Sequence, residues 1–426
     1  MMSSKSPKKH KNTVFRQLCE LIPPHLTKQL AAEHGVLSRT FTPWSHVVAM
    51  IYGQFTHAIG LNDICDSLKF SAGYLSRIRA AVAPKRNTLS NANRKRPPEM
   101  MEALFWRVMK DLMTRSPSFG RAAFKMPRGF RRAIHAIDSS TIALVANSMD
   151  WAKHRRRKAA AKLHMRLDLR SFLPSFAIVD SAKGHDASRA RERCAGLQEG
   201  EIVVADRAYL ILELFSDLTE RGVFWVTRAK TNLKLRCVER RIKKPVGNII
   251  RDDLVVLVSK TAKSKHPRRM RRVIAIVEVD GVMREMTFLT NNLDWSPGNI
   301  AELYRCRWAI ETFFKEIKQT LQLADFYGHN ENAVAWQIWS ALLTHLLLRY
   351  MKFLSKWPHS FIRLFTSTRA VLWRRLDLLD LLSPDASGTA PGGLRMRGQP
   401  ELAYLPGFGP SGMGQHSEIP ACGNEN

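Results

Sequence analysis

The chain has 426 residues, 45% of them hydrophobic, and carries 67 Lys and Arg against 37 Asp and Glu, a formal net charge of +30. That length can bury a large core and divides naturally into two or three units. That charge repels itself unless a polyanion answers it, so nucleic acid is the expected partner, and the basic residues recur along the chain rather than forming one tail: Lys8–Lys11, Arg94–Arg96, Arg128–Arg132, Lys153–Lys158, Arg236–Lys244 and Lys263–Arg272. Six scattered cysteines form no C-x-x-C pair, which speaks against a zinc site or a disulfide scaffold and for a reducing compartment. No secretory signal opens the chain. Its most apolar run, Ala333 to Leu348, is interrupted by Gln337, Ser340, Thr344 and His345 and reads as a buried helix rather than a span. A cytoplasmic, nucleoid-associated protein without a membrane partner is expected.

Residues 1–125 read as all-helical. Trp44, Val47, Val48, Ile51, Phe55 and Ile59 recur at helical spacing, with Gly60 closing that helix. Two short amphipathic stretches follow, joined near Ser71, with Leu61, Ile64, Leu68, Leu75 and Ile78 as their core. Helix-turn-helix and an ordinary helical hairpin both fit this pattern. The segment Thr88 to Arg96 then offers Ser, Asn and Arg, side chains able to reach phosphates and base edges, Arg94 and Arg96 among them.

From 126 to 230 the period changes to that of strands. RAIHAIDSSTIAL is a strand pattern ending in an acid, Asp138, followed by small hydroxyl residues, and two further strand-like runs follow. The loop around His185 and Asp186 leads into a short helix. EIVVADRAY is a short apolar strand ending in Asp206, then comes a helix to Glu220, then the strand VFWVTRAK with Arg228 and Lys230 near its end. This β-β-β-α-β-α-β order is that of a ribonuclease-H-like α/β core. Residues 231–293 are strand-rich and basic, with a hairpin turn expected at Asp280–Gly281, and read as a β insertion. Residues 294–330 are helical, started by Ser296–Pro297. Helices continue over 331–382, and 383–426 is a Gly- and Pro-rich irregular tail.

The stretch YRCRWAIETFFKEIK places Tyr304, Arg307, Glu311 and Lys318 three, four and seven residues apart. On a helix they fall within an arc of about 60°. Leu303, Ile310, Phe314, Ile317 and Leu321 form an apolar stripe beside them, and Trp308 is expected in the core. A lone carboxylate among cations is either an ion-paired surface or part of a site for phosphates and metal. Asp138 and Asp206, each ending an apolar strand, supply the other two acids. Three hard oxygen ligands suit two Mg²⁺ or Mn²⁺ ions, which would activate a nucleophile and stabilise the leaving oxygen of a phosphodiester.

These motifs carry a resemblance. Y-x2-R-x3-E-x6-K, met without a gap by Tyr304, Arg307, Glu311 and Lys318, resembles the signature of the DDE transposases of bacterial insertion sequences in the IS-four family. IDSSTI around Asp138 and ADRAY around Asp206 resemble the family's first and second acidic motifs, and VTRAK, MTFLTNN and the lead-in to Tyr304 extend the likeness over roughly residues 40 to 380. The resemblance implies that Asp138, Asp206 and Glu311 are the metal-binding catalytic triad. It implies that Tyr304, Arg307 and Lys318 hold the phosphates of a transposon end and that Arg228 contacts end DNA. It implies nicking, hairpin formation by the 3′-hydroxyl, hairpin opening and strand transfer by a homodimer that pairs two ends of double-stranded DNA. The base-stacking tryptophan of similar enzymes falls near Met286 here. The alternatives from other classes are an inactive DNA-binding protein with the same fold and a metal-dependent nuclease without strand transfer.

Overall fold

The computed structural model describes residues 7–56, 58, 60–121, 130–143, 153–154, 158–181, 186–279, 281–321, 326–328 and 330–383. His185 and the tail beyond residue 383 lie outside them, as does Asp280.

Seven helices come first: α1 (Val14–Glu20), α2 (Leu26–Glu33), α3 (Pro43–Thr56), α4 (Leu61–Phe70), α5 (Ala72–Leu75), α6 (Arg86–Lys95) and α7 (Glu99–Arg115). Gly60 does not close α3. It starts α4, its N–H donating to Asp63 Oδ2 at 3.0 Å, and α3 ends at Thr56. Leu61, Ile64, Leu68, Leu75 and Ile78 are all buried as expected. The second stretch, however, makes only the four-residue α5 before Arg79 and Ala80 turn the backbone left-handed, at φ 50 and 54. One helical turn, about 6 Å long, is too short to serve as a recognition helix in a groove. Thr88 to Lys95, in contrast, is helix, within α6.

The strands follow: β1 (Ile134–Ala143), β2 (Lys153–His154), β3 (Lys158–Asp168) and β4 (Leu173–Ser181), then α8 (Asp186–Cys194), β5 (Ile202–Ala205), α9 (Leu212–Glu220) and β6 (Phe224–Arg228). The run β4-β3-β1 is antiparallel, and β5 and β6 add in parallel beside β1. That is the ribonuclease-H-like arrangement.

Residues 231–293 supply β7 (Leu235–Arg240), β8 (Ile249–Leu257), α10 (Lys260–Lys265), β9 (Met270–Val279) and β10 (Val282–Thr290). These strands do not stand apart from the core. β10 pairs antiparallel with β6, Phe288 opposite Arg228, so one ten-stranded sheet runs through core and insertion among the described residues. Val279 pairs with Val282, and Gly281 between them takes φ +74, the left-handed geometry that a two-residue hairpin loop requires.

Two helices then carry the signature residues, α11 (Pro297–Cys306) and α12 (Trp308–Thr320). They are not one continuous helix. At Arg307 the bonding tightens to i→i−3, Arg307 N–H to Tyr304 O and Ile310 N–H to Arg307 O, both at 3.1 Å. Leu303, Ile310, Phe314, Ile317 and Leu321 are buried as the stripe predicted, while Trp308 is only half-buried. Ser296 caps α11, accepting from Asn299 N–H at 3.2 Å.

The remaining helices are α13 (Glu331–Leu354), α14 (Phe361–Ala370) and α15 (Leu378–Leu381). The apolar run Ala333–Leu348 lies wholly within α13 and is buried along its length. α13 packs on α3, α6, α7 and α14, so the N-terminal helices and the C-terminal ones share one core. No described helix is long and apolar enough to cross a membrane.

A buried ion pair ties the insertion to the signature helices. Arg271 on β9 meets Asp252 on β8 through two bonds of 2.7 Å and also donates to the carbonyls of Leu293 and Trp295, just before α11. Removing one partner strands a charge out of water. Asp252→Ala is expected to cost about 3–5 kcal/mol of unfolding free energy in urea, and a loss below 1 kcal/mol would show the pair to be dispensable.

Candidate functional site

Parallel pairing builds the site. β1 and β5 run side by side in register, Ile137 opposite Ala205. The next residue in each case is an aspartate, Asp206 just past the end of β5 and Asp138 within β1, which continues to Ala143 rather than ending at the acid, so two carboxylates emerge together where β5 ends. Such a crevice at the carboxyl ends of parallel strands gathers ligand groups. Asp206 also starts a short 3-10 turn, Arg207–Tyr209, its Oδ1 accepting from Ala208 N–H at 3.0 Å.

α11 and α12 cover this crevice and bring the third acid. Tyr304 Oη donates to Asp206 Oδ2 at 3.3 Å. Arg307 Nη1 lies 2.7 Å from Glu311 Oε1 and 4.0 Å from Asp138 Oδ2, linking the two acids. Lys318 Nζ donates to the Thr141 carbonyl on β1 at 2.7 Å. The four signature residues are thus turned toward the two aspartates, although they come from two helices and differ in depth. Tyr304 and Arg307 are buried against the sheet, whereas Glu311 and Lys318 are exposed. Burial alone would lower the Arg307 pKa, but Glu311, Tyr304 and Asp138 outweigh it and hold the guanidinium charged. Burial pushes the Tyr304 hydroxyl up to about 12, so it stays a hydrogen-bond donor. Burial also lowers Lys318, while Asp138 opposes that shift.

The Asp138 carboxyl is pushed from 3.8 up to about 6. Burial is the main cause; Glu311 and Asp206 add to it, and the Ser139 N–H and Arg307 oppose it. The first acid thus sits largely out of water with two acids nearby, and a hard cation would favour its ionised form. The donors present are carboxylate oxygens, and they fit Mg²⁺ or Mn²⁺ better than a soft metal. Among the described residues no three acid, His or Cys side chains converge closely enough to form a ready metal cluster. Glu311 is turned to Arg307, and its side chain, 54% exposed, has room to move.

Further residues support Asp138 that the sequence reading did not single out. Tyr209 Oη lies 3.4 Å from Asp138 Oδ1 and 3.0 Å from Ser139 Oγ. The buried Arg193 on α8 donates to the Asp138 carbonyl at 3.1 Å and stacks over the Tyr209 ring at 4.5 Å. Tyr209 had a signal, its place three residues after Asp206; Arg193 had none.

The other expected contacts distribute differently. Arg228 ends β6, and its strand partner Phe288 packs on the Tyr304 ring at 5.0 Å. Lys230 donates to the Leu210 carbonyl at 3.3 Å. Arg94 and Arg96 belong to the α6 end of the helical layer. Arg94 is exposed and bonds Asn91 Oδ1 at 3.0 Å. Arg96 donates to the Phe41 and Thr42 carbonyls, which makes it a structural clamp. Met286 is 8% exposed, pairs with Ala275 and belongs to the core, so it is not placed as a wedge.

The family described as transposase DDE domain matches residues 129–347, just over half of the chain and the whole span from β1 into α13. The chain belongs to the DDE transposase family. A second family, a domain of unknown function, matches residues 10–78. The chain is 29% identical to a putative transposase of Sinorhizobium fredii over 71% of its own length and 82% of that protein. It is 28% identical to a probable transposase for insertion sequence element IS5377 of Geobacillus stearothermophilus, over 52% of this chain and 57% of that one. It is 24% identical to the transposase InsG for insertion sequence element IS4 of Escherichia coli, over 44% and 43%. A DDE transposase is an enzyme of DNA recombination that uses divalent metal, and the acid crevice lies inside the matched span.

The raised Asp138 pKa has a stability consequence. A carboxyl raised from 3.8 to about 6 favours the folded state when protonated. That contribution is whole below about pH 4 and is lost as the pH rises through 6. In a DDE transposase freed of divalent ions, Asp138→Asn is therefore expected to raise stability at pH 8 by on the order of 1–3 kcal/mol, with little gain at pH 4. Thermal melts at the two pH values check this, and a variant less stable at pH 8 contradicts it.

Proposed function

We propose that the crevice formed by Asp138, Asp206 and Glu311 cuts and joins phosphodiesters at the ends of an insertion sequence. The observation that carries the reading is the in-register juxtaposition of Asp138 and Asp206, with Arg307 bridging Glu311 to Asp138. Asp138, Asp206 and Glu311 would hold Mg²⁺ or Mn²⁺, two ions by analogy with the family. Bound there, the metal supplies activation of a water or 3′-hydroxyl and stabilisation of the leaving oxygen.

The remaining residues bind and orient. Tyr304, Arg307 and Lys318 line the crevice, and an incoming phosphate competes with the carboxylates for Arg307. A guanidinium suits this exchange, since its planar fork serves carboxylate and phosphate alike. As Arg307 turns to the phosphate, Glu311 is released toward the other acids. Arg228 and Lys230, after the second acid, extend the basic lining along the DNA, and Arg94 lies on a separate helix in the N-terminal layer. Arg96 is tied to carbonyls and has a supporting part there. Two protomers pairing two ends, each cutting in trans, follow from the family likeness.

We further propose the cut-and-paste route through a hairpin. The nucleophile in that step is the 3′-hydroxyl left by the first nick; it bonds to phosphorus on the opposite strand as the bond from that phosphorus to the flanking strand's 3′-oxygen breaks, the attacking hydroxyl gives up its proton, and the flank departs with a 3′-hydroxyl. Met286 is buried and does not provide the stacking side chain, so the flipped base would need another support.

Asp138→Asn, Asp206→Asn and Glu311→Gln should each lower Mg²⁺-dependent cleavage of a terminal-repeat duplex by at least about a thousandfold, on the scale of removing a group essential to the transition state. Binding of the same duplex should survive. Retained cleavage in any one removes that acid from the triad. Denaturing gels separate the routes: hairpin and joined products support strand transfer, whereas nicks alone identify a metal-dependent nuclease.

A further inference from the structure

We infer that α6 is the helix by which this transposase reads base sequence in a DNA major groove. This rests on the assignment of the chain as an enzyme of DNA ends, and it names an element that the family likeness does not identify.

The ten residues of α6 include no acid. Leu89, Ala92 and Asn93 are its buried side, and Asn87, Asn91, Arg94 and Lys95 are exposed, with Ser90 half-exposed. At 100° per residue Asn87, Asn91 and Arg94 fall within about 60° of one another, a single outward stripe. Helix stability does not account for such a stripe. Asn and Ser compete with the helical backbone for hydrogen bonds and are poor choices for an exposed helix face, where Ala, Glu or Lys would serve better. They are, however, the side chains that read base edges: Asn bonds adenine through two atoms, Arg guanine through two, and Ser bonds either.

The underside of α6 is fixed. Asn93 Oδ1 meets His46 Nε2 at 2.6 Å, and the His46 ring stacks on Trp336 at 4.1 Å. Trp336 Nε1 donates to the Arg96 carbonyl at 2.9 Å, and Asn332 Nδ2 to that of Arg94 at 3.1 Å. α4 packs alongside. The outward residues are partly pre-ordered as well, since Arg94 Nη2 donates to Asn91 Oδ1 at 3.0 Å. Ten helical residues span about 15 Å, enough to lie in a groove about 12 Å wide. α5, in contrast, has a single turn.

The test is selection of a randomised 20-bp duplex library by the full-length protein, then by Asn91→Ala and Arg94→Ala. Both side chains project outward, so melting temperatures should match the wild type, and the selections can be compared directly. The wild type should enrich a defined motif. Each variant should lose preference at one or two neighbouring positions of it by about tenfold, while affinity for unselected duplex falls less than threefold. A wild type that enriches no motif, or variants that enrich it unchanged, would overturn the assignment. So would variants that lose selected and unselected duplex equally, which marks a phosphate contact. None of these readouts needs cleavage, so this proposal and the catalytic one fail separately.

Discussion

The parallel pairing of β1 with β5 is the constraint on which the rest of the molecule depends. It aligns Ile137 with Ala205 and so places the two following aspartates side by side. Side chains alternate across a strand, and a slip of one residue would turn one carboxylate to the opposite face of the sheet. The apolar strand β5, buried throughout, fixes that register from within. Everything chemical is then added from above: α11 and α12 supply Tyr304 against Asp206, and Arg307 between Asp138 and Glu311.

The arrangement gathers acids that repel one another and cations that hold them in place. Asp138 is pressed toward its neutral form by burial and by its two acidic neighbours, and Arg307 offsets only part of this. Such frustration is common at functional sites, where residues are placed for chemistry rather than for stability. Tyr209 and Arg193 brace the first acid from the opposite side, and the Asp252–Arg271 pair holds the start of α11 to the sheet. The strands of residues 231–293 are thus continuous with the sheet that carries Asp138 and support the helix that covers the crevice.

Much of this was legible in the sequence, for physical reasons. The apolar strands and the helical stripe of Leu303, Ile310, Phe314, Ile317 and Leu321 follow from local periodicity, which the structure preserves; Asp206 follows the end of β5 as expected, but β1 runs on to Ala143, so Asp138 lies within its strand and not at its end. The break at Arg307 was not legible, because the stretch from Tyr304 to Lys318 contains no helix-breaking Gly or Pro to mark it. Gly60 was misread: its N–H is used by Asp63, three residues on, and so it opens a helix instead of ending one. The helix-turn-helix pattern had the right buried residues but not the right lengths, and the helix α6 with its polar stripe was hidden by the low helix propensity of its Asn and Ser.

The central claim is that Asp138, Asp206 and Glu311 share one divalent ion site. Fe²⁺ substituted for Mg²⁺, in the presence of ascorbate and peroxide, cuts a polypeptide where the metal sits. With a terminal-repeat duplex bound, cleavage should fall close to residues 138, 206 and 311 together and disappear in Asp206→Asn. Cleavage elsewhere, or at only one of the three segments, would contradict a shared site.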